Sequence, residues 1–250
     1  MKTLFTNGCS WTAGGGLDLV YNSLDEEFSK MLWPYHLKNA MGFDRVVNYA
    51  TGCGSNQRIV RTTLDWILAQ DAETLKNTTV VIQFTEWSRF EYYYPINTTD
   101  PFENVSHRWA LCSIGHAYLP GPGDTAGPIT SDSIPDLNQR TSLSRYRTYT
   151  EIEAVYRLAS QCAALVNFFD TYGIKEYYFW SFVLLLEGLP DPIKTHLLSK
   201  YNWLEKGGRH LWEYERISKF DPHPSELGHV QLAECIHQSI QTFGEQKWKI

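Results

Sequence analysis

Residues 79–85, Thr-Val-Val-Ile-Gln-Phe-Thr, make a continuous apolar, β-branched run. A strand of this kind belongs in a sheet covered on both faces, because no side of it is written for water. Three further β-rich segments, 2–6, 45–50 and 174–182, are separated from it by stretches of helical spacing. Phe28, Met31, Leu32, Tyr35 and Leu37 mark a helix over 25–41, and Ile59, Val60, Leu64, Ile67 and Leu68 one over 55–70, with Ser55 able to cap it. Helical patterns also cover 150–171 and 226–243. Strands alternating with helices predict an α/β fold with a parallel sheet between helical layers. At 250 residues the expectation is one domain spanning 1–250.

Residues 90–147 interrupt that alternation. Pro120-Gly121-Pro122-Gly123, Gly127-Pro128 and Ile134-Pro135 punctuate them, so a long irregular insertion is expected there. Its aromatics (Tyr92, Tyr93, Tyr94, Trp109 and Tyr118) suggest a lid or a substrate-binding wall. A net charge of −6 with no basic run argues against a nucleic-acid partner. No apolar stretch approaches the ~18–20 residues a membrane span needs, so no membrane partner is expected. The start of the chain lacks the apolar segment of a signal peptide, and its five widely spaced cysteines (9, 53, 112, 162 and 235) include no C-x-x-C. A cytoplasmic location with reduced thiols is the expectation.

Two short motifs at opposite ends carry the chemistry. Phe5-Thr6-Asn7-Gly8-Cys9-Ser10 follows the first strand, and Asp221-Pro222-His223-Pro224-Ser225 precedes the last helix. A serine beyond the carboxyl end of a parallel strand stands where such sheets bind ligands. A serine hydroxyl needs a base to become a nucleophile, and His223 is the candidate, with Asp221 orienting its second ring nitrogen. Backbone N–H groups of Ser10 and Gly54 are candidate oxyanion donors, since both follow strand ends. Trp11, Arg89 and Tyr92 are candidate substrate-binding residues.

These residues resemble the SGNH/GDSL hydrolase family of esterases, lipases and acetylesterases. Gly8-Cys9-Ser10 matches its Gly-Asp-Ser block with Cys9 in the acidic position. Asn48 to Gly54 matches its Asn-to-Gly block, and His223-Pro224 to Gly228 its His-Pro-x-x-x-Gly block. The resemblance implies a three-layer αβα, flavodoxin-like fold, Ser10 as nucleophile and His223 as base, with esters, including O-acetyl groups on glycans, as substrates. In the family's third block an Asn completes the oxyanion hole. Here residues 83–89, Gln-Phe-Thr-Glu-Trp-Ser-Arg, contain none, which leaves Asn56, Thr85 or Ser88 as substitutes. The family's acidic residue stands three before the His; Asp221 stands two before it.

The expected function is a serine esterase acting on a small acyl ester, with an O-acetylated glycan suggested by the aromatic insertion. The alternative is a weakly active or inactive binding protein of the same fold, with a glycan or protein partner. A third reading makes Ala13-Gly14-Gly15-Gly16 a phosphate cradle, though neither G-x-G-x-x-G nor G-K-[ST] is present. Cys9 is a weaker candidate nucleophile. Arg89 and Glu91 could bind a polar substrate group, with a surface ion pair the favoured account, and His229 is expected to pack or cap. The remaining histidines show no metal-ligand spacing, and no metal or organic cofactor is implied.

Overall fold

The computed structural model describes residues 1–19, 26–86, 89–95, 107–113, 116–120, 126–128, 151–181, 190–204 and 214–247. Four strands, β1 (Thr3–Asn7), β2 (Arg45–Asn48), β3 (Thr78–Phe84) and β8 (Glu176–Ser181), form a wholly parallel sheet in the order β2-β1-β3-β8. Its helices are α1 (Ser10–Ala13), α2 (Glu26–Met31), α3 (Trp33–Met41), α4 (Asn56–Leu68), α5 (Ala72–Lys76), α6 (Glu151–Tyr172), α7 (Asp191–Lys200) and α8 (Glu226–Lys247).

The alternation of side chains along the strands divides the core in two. Phe5, Val80, Ile82, Phe84 and Phe179 point to one face and pack with Ile59 and Ile67 of α4 and Leu165 and Phe169 of α6. Leu4, Val81 and Trp180 point to the other and meet Trp33 and Leu37 of α3 and Leu232 and Ile236 of α8. All seven residues of β3 are buried, as a strand between two helical layers requires. The fold is therefore the expected αβα sandwich. The chain leaves β1 toward β2 and leaves β3 toward β8, so the crevice between the carboxyl ends of β1 and β3 is the switch point where such sheets bind ligands.

Three local expectations change. The helix expected over 25–41 is two helices, α2 and α3, because Leu32 is extended (φ −83°, ψ 149°). Pro34 has no N–H and sits in a helix's first turn, so the helix restarts at Trp33. Helix α5 was not expected; Asp71 caps it by accepting the Thr74 N–H at 2.6 Å. The insertion is more ordered than its punctuators suggest. Strands β4 (Phe90–Pro95), β5 (His107–Ser113), β6 (His116–Pro120) and β7 (Ala126–Pro128) form a second, antiparallel sheet in sequence order. Gly and Pro here punctuate short strands, which a count of breakers cannot separate from irregular chain. The side chains of this sheet, Tyr92 and Glu91 included, lie outside the described residues, as does Ser88. No helix among the described residues is long and apolar enough to cross a membrane.

His229 shows how the last helix is fixed. Leu32 offers no side-chain cap to α3; instead the Trp33 N–H donates to His229 Nδ1 at 3.2 Å. The ring must stay neutral to accept. Burial, with the nearby His36 and His223, pushes its pKa down to about 3. Unfolded, the same ring titrates near 6.5, so the unfolded chain binds the extra proton between those values. Stability is therefore expected to fall as pH drops below 6.5, by about 2 kcal/mol between pH 7 and pH 5. Urea unfolding at the two pH values checks this, and His229→Gln should flatten the difference.

Candidate active site

Ser10 is the first residue of α1, carried there directly by the end of β1. Its position is set from three sides. Gln83, fully buried in β3, accepts a hydrogen bond from Thr12 Oγ1 and the Cys9 N–H (3.4 Å), and donates to Cys9 Sγ at 3.4 Å. Asn48 Nδ2 donates to Thr12 O at 3.0 Å, tying the end of β2 to α1. Asn7 Nδ2 reaches Ile59 O (3.0 Å), Thr62 Oγ1 (2.8 Å) and Thr63 Oγ1 (3.0 Å) on α4.

The loop before α8 delivers the partners. A bridge between Arg216 and Pro224 closes it, and the Ile217 N–H donates to His223 O at 2.9 Å. Asp221 Oδ1 accepts both the His223 N–H (3.0 Å) and His223 Nδ1–H (2.6 Å). Such an Asx turn reaches the ring with a spacing of two residues, so the shortened interval costs nothing in geometry. With Nδ1 protonated, Nε2 is left to accept from Ser10 Oγ at 2.9 Å. Burial pushes the Asp221 carboxyl up, but the hydrogen bonds from the His223 N–H and Nδ1–H hold it below the usual range, so it is ionised. His223 and Asp221 keep 26% and 31% of their side-chain surface exposed, which opens this side of the site to solvent. Ser10, His223 and Asp221, all named from sequence, thus form one hydrogen-bonded chain.

The other candidates divide. Gly54 is at the site: a Cβ there would lie 2.8 Å from Gly8 O. Its N–H, however, donates to Thr51 O at 3.2 Å, so the expected oxyanion donor is committed to its own turn. Asn56 is bonded as well, since Nδ2 donates to Thr85 O (2.9 Å) and Oδ1 accepts the Thr85 N–H (2.7 Å). That amide clamps the start of α4 to the end of β3 and keeps one Nδ2 hydrogen beyond the bond to Thr85 O. Thr85 Oγ1 is buried without a partner. Arg89 pairs with Glu86 through Nε at 2.7 Å. Trp11 is 6% exposed and packs edge-on against Tyr214, with ring centroids 5.1 Å apart. Its ring braces Tyr214 beside the site. Cys9 has no exposed surface and packs with the same pair, its Sγ 4.0 Å from Ser10 Oγ.

The glycine run also has its reason. The N–H groups of Gly14 and Gly15 donate to Ser10 O and that of Gly16 to Asp18 Oδ1, so none is left to hold a phosphate. Gly14, with φ +82°, ends α1 in the left-handed region. A Cβ on Gly15 would lie 2.7 Å from Ser10 Cβ and 3.1 Å from His223 Nε2. The run keeps space for Ser10 and His223 to meet.

Two contributors went unnamed in the sequence. Gln83 had a signal: a polar residue inside a fully buried strand needs partners. Tyr214 had none. It lies 9% exposed, burial pushes its phenol up to about 12, and its hydroxyl donates to Pro222 O at 3.3 Å, between Asp221 and His223.

Gly15→Ala is expected to push Ser10 and His223 beyond hydrogen-bond reach, about 3.5 Å, in a crystal structure of the variant. Gly52→Ala, whose Cβ would meet nothing within 4 Å, should leave the pair intact.

Residues 20–189 match the model of a family of unknown function, DUF6071. The matched span leaves out both Ser10 and the Asp221–His223 loop. No curated protein matches the chain. Among solved structures it is similar to the lipase Lip_vut3 from goat rumen metagenome, with 13% identity, a TM-score of 0.46, and coverage of 96% of this chain and 97% of that one. By the match over well more than half of its length, the chain belongs to the DUF6071 family.

Proposed function

We propose that this protein is a serine esterase of the SGNH/GDSL type. The observation that supports it is the unbroken sequence of hydrogen bonds from Asp221 Oδ1 to His223 Nδ1 (2.6 Å) and from Ser10 Oγ to His223 Nε2 (2.9 Å). Ser10 Oγ attacks an ester carbonyl, and its proton passes to His223 Nε2. The carbonyl electron pair moves onto oxygen, forming a tetrahedral oxyanion. The pair returns as the C–O bond to the alcohol breaks, and His223 gives the alkoxide its proton. Water, deprotonated by His223, then attacks the acyl-Ser10 carbonyl; Ser10 leaves with a proton and the acid is released. Ionised Asp221 stabilises the imidazolium in both halves. The Ser10 N–H, at the head of α1 with no intrahelical acceptor, is one oxyanion donor.

The substrate we favour is a small acyl ester, with O-acetyl groups on a glycan as the natural extension. The competing reading is a binding protein with this fold. It is favoured by the commitment of the Gly54 N–H to an internal hydrogen bond.

Steady-state hydrolysis of p-nitrophenyl acetate separates the two. Wild type should turn over, Ser10→Ala and His223→Ala should fall to background, and Asp221→Asn should lose about 10⁴-fold in kcat. Equal rates for folded wild type and Ser10→Ala would leave the binding reading.

A further inference from the structure

The loop that delivers His223 is a tight hairpin. Ser225 N–H donates to Glu215 O at 3.0 Å, Ile217 N–H to His223 O at 2.9 Å and Ser218 N–H to Asp221 O at 3.4 Å, so 215–218 run against 221–225. Ser218 Oγ accepts the N–H groups of Phe220 (3.2 Å) and Asp221 (3.0 Å), which closes the tip. Ile217 is thereby held across the hairpin from His223. Its side chain reaches Gly16, where an added Cβ would strike Ile217 Cδ1 and lie 2.9 Å from Asp221 Oδ2 and 3.5 Å from His223 Cβ. Ile217 still keeps 37% of its surface exposed, and Phe220 at the tip keeps 86%. Scattered exposed apolar residues need no explanation. Ile217 differs because it is seated between the catalytic loop and the glycine turn beside Ser10.

The chemistry says which part of an ester passes there. His223 Nε2 gives its proton to the departing alkoxide, so the alcohol oxygen arrives at that atom. From Nε2 the glycine run follows the imidazole: a Cβ on Gly15 would lie 3.1 Å from Nε2, and one on Gly16 3.5 Å from His223 Cβ. A group bonded to the alcohol oxygen and laid along those two glycines comes to Ile217 next. The Asp221 carboxylate borders the same point, with Oδ1 already holding the His223 ring. A hydroxyl bonded to Oδ2 would draw on the charge that stabilises the imidazolium, whereas an alkyl group leaves that charge in place.

We propose, resting on the esterase reading, that Ile217 is a specificity-determining residue that packs against the alcohol portion of the substrate, and that this portion is alkyl or aryl. This chooses among the small acyl esters of that reading and decides against the acetylated glycan. Phe220 extends the apolar surface of the hairpin beyond Ile217.

The experiment measures kcat/KM in a pH-stat for wild type, Ser10→Ala, Ile217→Ala and Ile217→Val. The substrates are ethyl acetate, hexyl acetate, ethyl hexanoate and an acetylated methyl glucoside. Hexyl acetate and ethyl hexanoate are isomers, so they differ only in which side of the ester carries the chain. A CH2 moved out of water is worth up to about fourfold, and wild type should therefore favour hexyl acetate over each of the others by about tenfold or more. Ile217→Ala should lose about tenfold on hexyl acetate and Ile217→Val about twofold, with both ethyl esters held within about twofold. Equal losses on hexyl and ethyl acetate make Ile217 a structural part of the hairpin and overturn the inference, as do unchanged rates in Ile217→Ala. A wild-type preference for ethyl hexanoate or for the glucoside also overturns it. Ile217→Val carries the test if Ile217→Ala does not fold. Each of these results, with Ser10→Ala inert, leaves the esterase reading standing. No hydrolysis of any ester by folded wild type refutes that reading and this inference with it.

Discussion

Gln83 sits with no exposed surface in β3, and its carboxamide reaches across to Thr12 and Cys9 in the turn that carries Ser10. Everything at the site is referred to that contact. A strand flanked on both sides by parallel neighbours is among the least mobile parts of a sheet, and an amide fully bonded inside it passes that rigidity to α1. Loss of the amide would also strand the groups it satisfies, at about 1–3 kcal/mol for each buried orphan. The sheet thus supplies both a crevice and a fixed nucleophile at its edge.

The opposite half must be brought from 213 residues away. Its location follows from α8, which packs on α3 against the same sheet and is pinned there by the neutral His229 ring. Tyr214 continues the connection: its ring rests on Trp11, and its hydroxyl holds the carbonyl of Pro222. Gly15 and Gly16 remove the side chains that would stand between Ser10 and the Asp221–His223 loop. The two motifs meet because a buried histidine, an aromatic pair and a glycine run each solve one part of the closure.

The framework was legible because its signals are local. Apolar strand runs, helical periodicity and the cap at Ser55 survive reading one segment at a time. Ser10, Asp221 and His223 were legible because their types and flanking residues state a chemistry. What escaped was set by tertiary contacts. That Asn56 and the Gly54 N–H make internal bonds is visible only when their neighbours are in place. Trp11 reads as an aromatic beside the nucleophile, but its packing partner, a tyrosine 203 positions away, is not legible from that segment. The antiparallel sheet of 90–128 escaped because Gly and Pro mark turns between strands as readily as irregular chain.

The central claim is that Ser10 is made nucleophilic by His223, and covalent capture tests it most directly. Intact protein would be treated with a fluorophosphonate, its mass measured, and the adduct located by peptide mapping. The account predicts a single adduct on Ser10, absent from a folded His223→Ala variant. An unmodified mass for folded wild type, or an adduct on Cys9, would contradict it.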